Sequence, residues 1–185
     1  MWGRTVLLVG LVSELAYSPR KPRAVQRGII GLASTRAMSA FNRKMLPRAD
    51  RLVLRLTRGK ATATSLISGL PTLWLTTTGA RSGRERTVPL LGFPSGDDLA
   101  VIGTGFGQRA TPGWVHNLEA RGEAVVSHHG VEIEVRARLA LPGEAELIWD
   151  QARRLYPGYA NYVAWAQHRN VRVFMLEKAV SGGRD

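Results

Sequence analysis

The stretch that most constrains this chain runs from Pro71 to Leu90 and reads PTLWLTTTGARSGRERTVPL. Leu73 to Thr78 are almost all β-branched, aromatic or aliphatic, the composition of a strand. Gly79 and Gly83 bound a turn in which φ can be positive, and Arg84 to Leu90 restart an extended run. A hairpin is expected. Arg81, Arg84 and Arg86 crowd its tip. Backbone N–H groups and the Ser82 hydroxyl can point into such a turn, and Arg81 and Arg86 can fork around phosphate oxygens. Two readings stand at this point: a phosphate site, or a solvated basic hairpin.

At 185 residues and 44% hydrophobic, the chain can bury one good core, so one domain plus an arm is expected. It has no cysteine. A disulfide frame, a thiolate nucleophile and a cysteine metal site are therefore excluded. The four histidines lack companions at ligand spacing, so no metal is expected. The net charge of +12 is unevenly spread. Residues 1–60 hold 13 Lys/Arg against Glu14 and Asp50, whereas residues 61–185 hold 13 against 12 acids. Any argument about a polyanionic partner therefore concerns the N-terminal third.

That third begins with an apolar run from Thr5 to Val12, too short to span a bilayer. Pro19 after Ala16-Tyr17-Ser18 counts against signal cleavage, and an interfacial helix fits better. Ser18 to Arg27 is a proline-interrupted basic linker. Gly28 to Lys60 reads as basic amphipathic helix divided at Pro47. Such helices lie on anionic membranes, or else pack an apolar stripe on the folded domain with arginines outside. Both readings stay open. The basic region lacks the interleaved aromatics of single-strand binding, so nucleic acid is not expected.

From Thr64 the pattern turns to strands. Ser95-Gly96-Asp97-Asp98 separates two apolar runs as a hairpin turn would. Gly103-Thr104-Gly105-Phe106-Gly107 is a second glycine-rich loop. It lacks the context of either nucleotide fingerprint, though its glycines would let a planar ligand approach the backbone. Thr111-Pro112 should open a helix carrying Trp114 and Asn117 on one face, closed by Gly122. Glu123 to Leu141 reads as a hairpin turning at Gly130, with His128 and His129 on opposite faces. A helix follows Pro142-Gly143. Tyr156, Tyr159 and Tyr162 fall at i, i+3, i+6, an aromatic row of phenols on a helical segment. Val171 to Glu177 alternates as a closing strand, and the chain ends in a tail.

Four motifs in this order, LWLTTTGARSGRERTVPL, GTGFGQRATPGWVHNLEA, YPGYANY and VRVFMLE, resemble the deazaflavin-dependent nitroreductase family over about residues 40–185. The resemblance implies an α+β split β-barrel of the FMN-binding, pyridoxamine-phosphate-oxidase-like kind, with packing helices and an N-terminal helical arm. The implied division is an arm over 1–62, the coenzyme-binding barrel over 63–180, and a tail over 181–185. The cofactor implied is the 8-hydroxy-5-deazaflavin coenzyme F420. By the same resemblance Arg81, Ser82 and Arg86 hold its phosphate, and Thr87, Val88 and Pro89 follow the coenzyme. Arg81 stands where a lysine is common and Ala80 where arginine is frequent. Thr104, Gly105 and Gly107 approach the deazaflavin ring, and Trp114 and Asn117 line the groove. Tyr156, Tyr159 and Tyr162 close the substrate side as proton or hydrogen-bond donors, Tyr159 first among them and Thr104 the alternative.

The implied reaction is hydride transfer from reduced F420 to a quinone-like, nitroaromatic or other unsaturated acceptor. Such chemistry needs neither metal nor covalent nucleophile. The implied location is the cytoplasm, at the inner face of the membrane if the arm binds lipid. Two alternatives remain: an FMN-dependent reductase on the same fold, and a non-enzymatic module binding anionic lipid or nucleic acid through residues 20–60.

Overall fold

The protein is described by a computed structural model covering residues 10–19, 28, 70–166 and 168–179. The helices expected between Gly28 and Lys60, the Pro47 break and the C-terminal tail lie outside the described residues. Seven strands form one antiparallel sheet: β1 Leu73–Thr78, β2 Glu85–Leu90, β3 Gly92–Ser95, β4 Asp98–Ile102, β5 Glu123–His128, β6 Val131–Leu139 and β7 Val173–Lys178. Their order across the sheet is β2-β1-β5-β6-β7-β4-β3. The helices are α1 Leu11–Glu14, α2 Gly113–Arg121, α3 Pro142–Leu155 and α4 Gly158–Trp165, with a 3-10 turn at Gly105–Gly107. The curled sheet with its packed helices is the α+β split barrel that the resemblance implied.

Turn chemistry sets the hairpins. β1 and β2 pair from Leu73↔Leu90 to Thr78↔Glu85, and Gly83 takes φ +64 in the turn between them. Ser95↔Asp98 closes β3 onto β4, with Gly96 at φ +62. His128↔Val131 closes β5 onto β6 across His129 (φ 49) and Gly130 (φ 86). Two positive φ values in a two-residue loop are the primed geometry that matches strand twist. The same geometry corrects the expectation for the two histidines. His129 sits in the turn, not on the strand, and its ring lies 4.0 Å from that of His128. The helix expected from a Thr111 cap instead begins one residue later, with Pro112 at the cap position.

The core has two parts because β4 and β7 are covered on both faces. Leu99, Val101, Phe174 and Leu176 point into the barrel with Leu73, Leu75, Val126, Ile133, Val135 and the α2 residues Trp114, Val115 and Leu118. Ala100, Ile102, Val173 and Met175 point the other way, against Ile148, Ala152 and Leu155 of α3 and Tyr159 of α4. Strands buried on both faces read as continuous apolar runs, as DLAVI and VFML do. β6 has one wet face, so Ile133 and Val135 alternate with Glu132, Glu134 and Arg136.

Assignment of residues 1–62 to a separate arm needs correction at one point. Leu11, Leu15 and Tyr17 are each 1% exposed and belong to the barrel core. The Val12 N–H donates to the Asp97 carbonyl at 3.1 Å, and Lys178 pairs with Glu14. Tyr17 completes the attachment. Its hydroxyl accepts from the Gly92 N–H at 2.8 Å and lies 3.1 Å from the Pro71 carbonyl oxygen. A short apolar helix inserted into the core replaces the interfacial helix expected for these residues.

His128 lies against Tyr17, ring centroids 5.0 Å apart, and its Nδ1 is 2.9 Å from the Thr72 carbonyl oxygen. Burial holds its pKa below the usual histidine value, and the neighbouring His129 lowers it further against the Thr72 hydrogen bond. The folded state therefore takes up a proton less readily than the unfolded chain. Stability should be full above the ordinary histidine pKa of about 6.5 and fall as pH drops through it. Urea unfolding between pH 8 and pH 5 should show this loss. His128→Asn, which keeps a donor for Thr72 but cannot titrate, should flatten it. An unchanged slope in the variant would assign the effect to another group.

Candidate functional site

The β1–β2 turn is a rigid loop with open arginines. Gly79 donates to the Arg84 carbonyl at 2.9 Å, and Gly83 donates to the Gly79 carbonyl at 2.8 Å. A Cβ at position 79 would lie 2.5 Å from Ser82 Oγ, so a larger residue there would push the Ser82 hydroxyl aside. Asn117 of α2 fastens the turn from behind. Its Oδ1 accepts from the Ala80 N–H at 2.9 Å, and its Nδ2 donates to Thr77 Oγ1 at 3.0 Å. Ser82 Oγ accepts from the Arg84 N–H at 3.4 Å. Arg81, Ser82, Arg84, Arg86 and Thr87 are exposed, while Val88 and Pro89 are half-buried along β2. Thr87 shares a 2.8 Å hydroxyl contact with Thr76 across the hairpin.

Among the described residues, no carboxylate pairs with Arg81, Arg84 or Arg86. Some other basic side chains are committed, although Arg109, Arg121, Arg136 and Arg154 likewise show no carboxylate partner among the described residues. Arg138 bridges Glu144 and Glu177, Arg153 meets Asp150, Arg172 meets Glu119, and Lys178 meets Glu14. Three guanidinium groups without carboxylate partners among the described residues fit an anion such as a phosphate, although the N–H groups of Gly79, Ala80, Gly83 and Arg84 are already bonded within the protein.

The 103–107 loop follows β4, and its glycines serve the protein's own packing. A Cβ on Gly103 would meet Val115 at 2.8 Å, one on Gly105 would meet Pro112 at 2.9 Å, and one on Gly107 would meet Trp165 at 2.9 Å. The glycines thus let α2 and α4 approach closely, where the sequence suggested room for a planar ligand. Thr104 is 6% exposed. Arg169 secures the loop. Its guanidinium donates to the carbonyls of Gln108 (3.1 Å), Gly103 (3.0 Å) and Thr104. Partial burial lowers the Arg169 pKa. His168 Nε2, 3.1 Å from the Arg109 carbonyl oxygen, adds a second staple. Arg169 was not among the residues singled out from sequence, since nothing in HRNV marks a side chain that reaches back 65 residues.

α2 supports both loops. Gly105 rests on Pro112, Gly103 on Val115, and Asn117 holds the arginine turn. Pro112 and Asn117 are about 7 Å apart along the helix axis. Trp114, 7% exposed, faces the core with its ring 6.1 Å from Phe174.

The tyrosine row spans two elements. Tyr156 ends α3, while Tyr159 and Tyr162 are on α4. The Tyr156 and Tyr162 hydroxyls are 3.1 Å apart and their rings stack at 28°. Tyr159 points into the second core cluster, between Phe93 (5.5 Å) and Trp149 (6.3 Å), and burial pushes its hydroxyl pKa well up. Of the three hydroxyls, those of Tyr156 and Tyr162 meet each other, and Tyr162 is as buried as Tyr159. Phe106 joins that pair, its ring edge-on to Tyr162 at 5.9 Å and 79°. Its backbone is left-handed, φ 57 and ψ 31. That conformation costs a bulky residue about 1–3 kcal/mol, against about 0.5–1.5 kcal/mol from an edge-to-face pair.

Among the described residues no cluster of three or more His, Asp or Glu could hold a metal, and no helix is long and apolar enough to cross a membrane.

The fold is that of a split barrel, and comparison with known proteins gives the class as F420-dependent oxidoreductases. Residues 48–178 match the F420H(2)-dependent quinone reductase family, and the chain belongs to it. A Mycobacterium tuberculosis protein named F420H(2)-dependent quinone reductase is 30% identical over 76 residues, which are 41% of this chain and 51% of that protein; this chain thus matches about half that relative's length. A second protein from that organism, named for the same family, is 25% identical over 107 residues, 58% of this chain and 89% of the relative. A solved F420-H2 dependent reductase, FDR-A, superposes with TM-score 0.52 at 31% identity, over 58% of this chain and 94% of that one. A second solved structure, described only as a domain-swapped dimer, gives 0.55 at 28% identity over 69% of this chain and 95% of that one.

Arg169→Ala should free the 103–108 loop. Charge-assisted bonds to backbone carbonyls contribute about 1.5–3 kcal/mol each before solvent replaces them, so a net loss of about 2 kcal/mol in unfolding free energy is expected. Amide exchange across residues 103–108 should accelerate about tenfold or more. Exchange at the wild-type rate would show that the clamp is idle.

Proposed function

We propose that this chain is an F420-dependent oxidoreductase that reduces quinone-like acceptors. The observation that carries the reading is the arginine turn: three guanidinium groups without carboxylate partners among the described residues, on a loop held by Asn117. Arg81, Ser82 and Arg86 would hold the coenzyme phosphate, and Thr87, Val88 and Pro89 would flank the coenzyme along β2. Thr104, Gly105 and Gly107 would set the loop beside its ring. Reduced deazaflavin, when bound, supplies a hydride. The protein's own residues then orient, exclude water and manage one proton.

The Tyr156–Tyr162 pair suits that last task. A reduced carbonyl or nitro oxygen gains negative charge, and a phenol within hydrogen-bond reach stabilises it. Whichever hydroxyl donates within the pair strengthens the other as a donor. Tyr159 holds both rings in place, at 5.6 Å from Tyr156 and 6.1 Å from Tyr162.

Fluorescence titration of the purified chain with F420 and with FMN tests the cofactor. F420 should bind in preference. The Arg81→Ala, Arg86→Ala double variant should weaken it by about tenfold or more, as expected for lost charge-assisted bonds. Tyr156→Phe or Tyr162→Phe should lower turnover on a quinone by about tenfold while F420 affinity stays put. Preference for FMN would favour the flavin alternative. F420 affinity untouched by the double variant would remove the turn from the site.

We further propose that residues 20–60 rest on anionic membrane, where lipophilic quinones reside. Support comes from the charge segregation in the sequence, 13 Lys/Arg against 2 acids in residues 1–60. Truncation would remove core residues Leu11, Leu15 and Tyr17, so charge neutralisation is the cleaner test. Replacing Arg36, Arg43, Lys44, Arg48, Arg51 and Arg55 with Gln should abolish salt-sensitive binding to phosphatidylserine vesicles, since each near-surface charge contributes about 1 kcal/mol. Equal vesicle binding would reject the proposal.

A further inference from the structure

Two side chains that touch each other hold the open end of the β1–β2 hairpin from outside it. The Tyr17 hydroxyl accepts from the Gly92 N–H beyond β2 and lies 3.1 Å from the Pro71 carbonyl oxygen before β1. The next carbonyl, that of Thr72, accepts from His128 Nδ1 at 2.9 Å. The two rings meet at 74°, centroids 5.0 Å apart. Tyr17 belongs to the segment that inserts Leu11 and Leu15 into the core. The contact therefore joins that segment to the base of the hairpin whose far end is the arginine turn.

A carbonyl only accepts, so Nδ1 carries the proton of neutral His128 and Nε2 carries none. Among the described residues Nε2 has no hydrogen-bond partner, so a proton added there creates a buried charge and an unpaired donor. Water reaches that ring only if Tyr17 moves off it. No carboxylate among the described residues acts on His128; the one charged neighbour that does is His129, in the adjoining turn with its ring 4.0 Å away. Other charged groups fasten other parts of the segment: Glu14 pairs with Lys178, and Asp97 and Asp98 close the β3–β4 turn, where the Asp97 carbonyl takes the Val12 N–H. Tyr17 keeps its proton, because burial raises its hydroxyl pKa.

We propose that this contact is a pH-sensitive clamp: protonation of His128 detaches residues 11–17 and unties the base of the β1–β2 hairpin while the rest of the sheet stays folded. The segment yields first because it is one short helix and a turn, whereas β5, which carries His128, is paired on both sides, with β1 and β6. The docked segment disfavours the charged ring, so the clamp is closed above the ordinary histidine pKa of about 6.5. Below that value each pH unit raises the open population by up to about tenfold. The clamp acts without coenzyme and does not rest on the reductase reading.

Hydrogen exchange on the full-length chain at about pH 7.5 and about pH 5.5, corrected for the intrinsic pH dependence of amide exchange, reads the clamp directly. The N–H groups of Val12, Leu15, Tyr17 and Gly92 are all bonded in the closed form. Their protection should fall about threefold or more at the lower pH, while that of β4 and β7 should stay within about twofold. His128→Asn should remove the pH response, whether it leaves the segment docked or free. His129→Asn and Asp98→Asn should keep it; the second is needed because burial, then Glu177, raises the Asp98 pKa. The chain has no cysteine, so Glu14→Cys and Lys178→Cys can be joined specifically by a short bismaleimide. That bridge should keep the segment protected at the lower pH. Equal loss across β4 and β7 would make the change global and overturn the proposal. It would equally be overturned by a wild-type segment indifferent to pH, by a response that survives in His128→Asn or in the bridged chain, or by one that vanishes in either control variant.

Discussion

Backbone that leaves a β-ladder still has to pair its N–H and C=O groups, and three side chains from outside the sheet meet that demand here. Asn117 bonds the Ala80 N–H, Tyr17 bonds the Gly92 N–H, and Arg169 takes three carbonyls between Gly103 and Gln108. Each of these segments is a place where a strand ends and the chain turns. Each bond also crosses the fold, from α2, from the N-terminal segment, or from the stretch before β7. The loops are fixed in shape by donors and acceptors that belong to other elements. That lets two glycine-bounded loops present fixed geometry without strands of their own.

The charges divide in the same way. On the β6–β7–α3 side Arg138 is held between Glu144 and Glu177. Its hydrogen bonds, with that of the Leu141 N–H, keep the Glu144 pKa down to about 2. Such exposed pairs add little stability, and with two carboxylates to one guanidinium they leave no positive field there. At the β1–β2 turn three arginines pair with no carboxylate among the described residues, and with Glu85 as the one acid in the stretch their net positive potential is available to an incoming anion. A turn neutralised like Arg138 would repay a phosphate poorly, because breaking an existing ion pair offsets making a new one.

The hairpins were legible from sequence because turn chemistry is local: Gly83, Gly96 and Gly130 take the positive φ values that their positions in the sequence suggested. The helix carrying Trp114 and Asn117 was legible for similar reasons, apart from a one-residue shift at its start. What stayed hidden depends on partners far along the chain. The place of Tyr17 in the core rests on contacts to residues 54 and 75 positions away, and the four-residue helix that carries Leu11 has no periodicity to reveal its buried face. Glycines in the 103–107 loop were visible, but sequence could not say whether a ligand or a helix approached them. The three evenly spaced tyrosines gave no sign that Pro157 and Gly158 would split them between two helices.

That split has a chemical consequence. On a single straight helix, residues at i, i+3 and i+6 drift around the axis, and the outer two would diverge. The break after Tyr156 instead folds its ring back over Tyr162, while Tyr159 turns inward and is wedged by Phe93 and Trp149. The buried tyrosine thereby fixes the two whose hydroxyls meet. A phenol keeps its proton at neutral pH, so such a pair can give a hydrogen bond to a developing oxyanion without first taking up a proton. Precise donor placement needs rigid support, and here the support is the second core cluster itself. Loosening the packing of α3 against α4 should therefore disturb the hydroxyl pair before it disturbs the arginine turn, which hangs from α2.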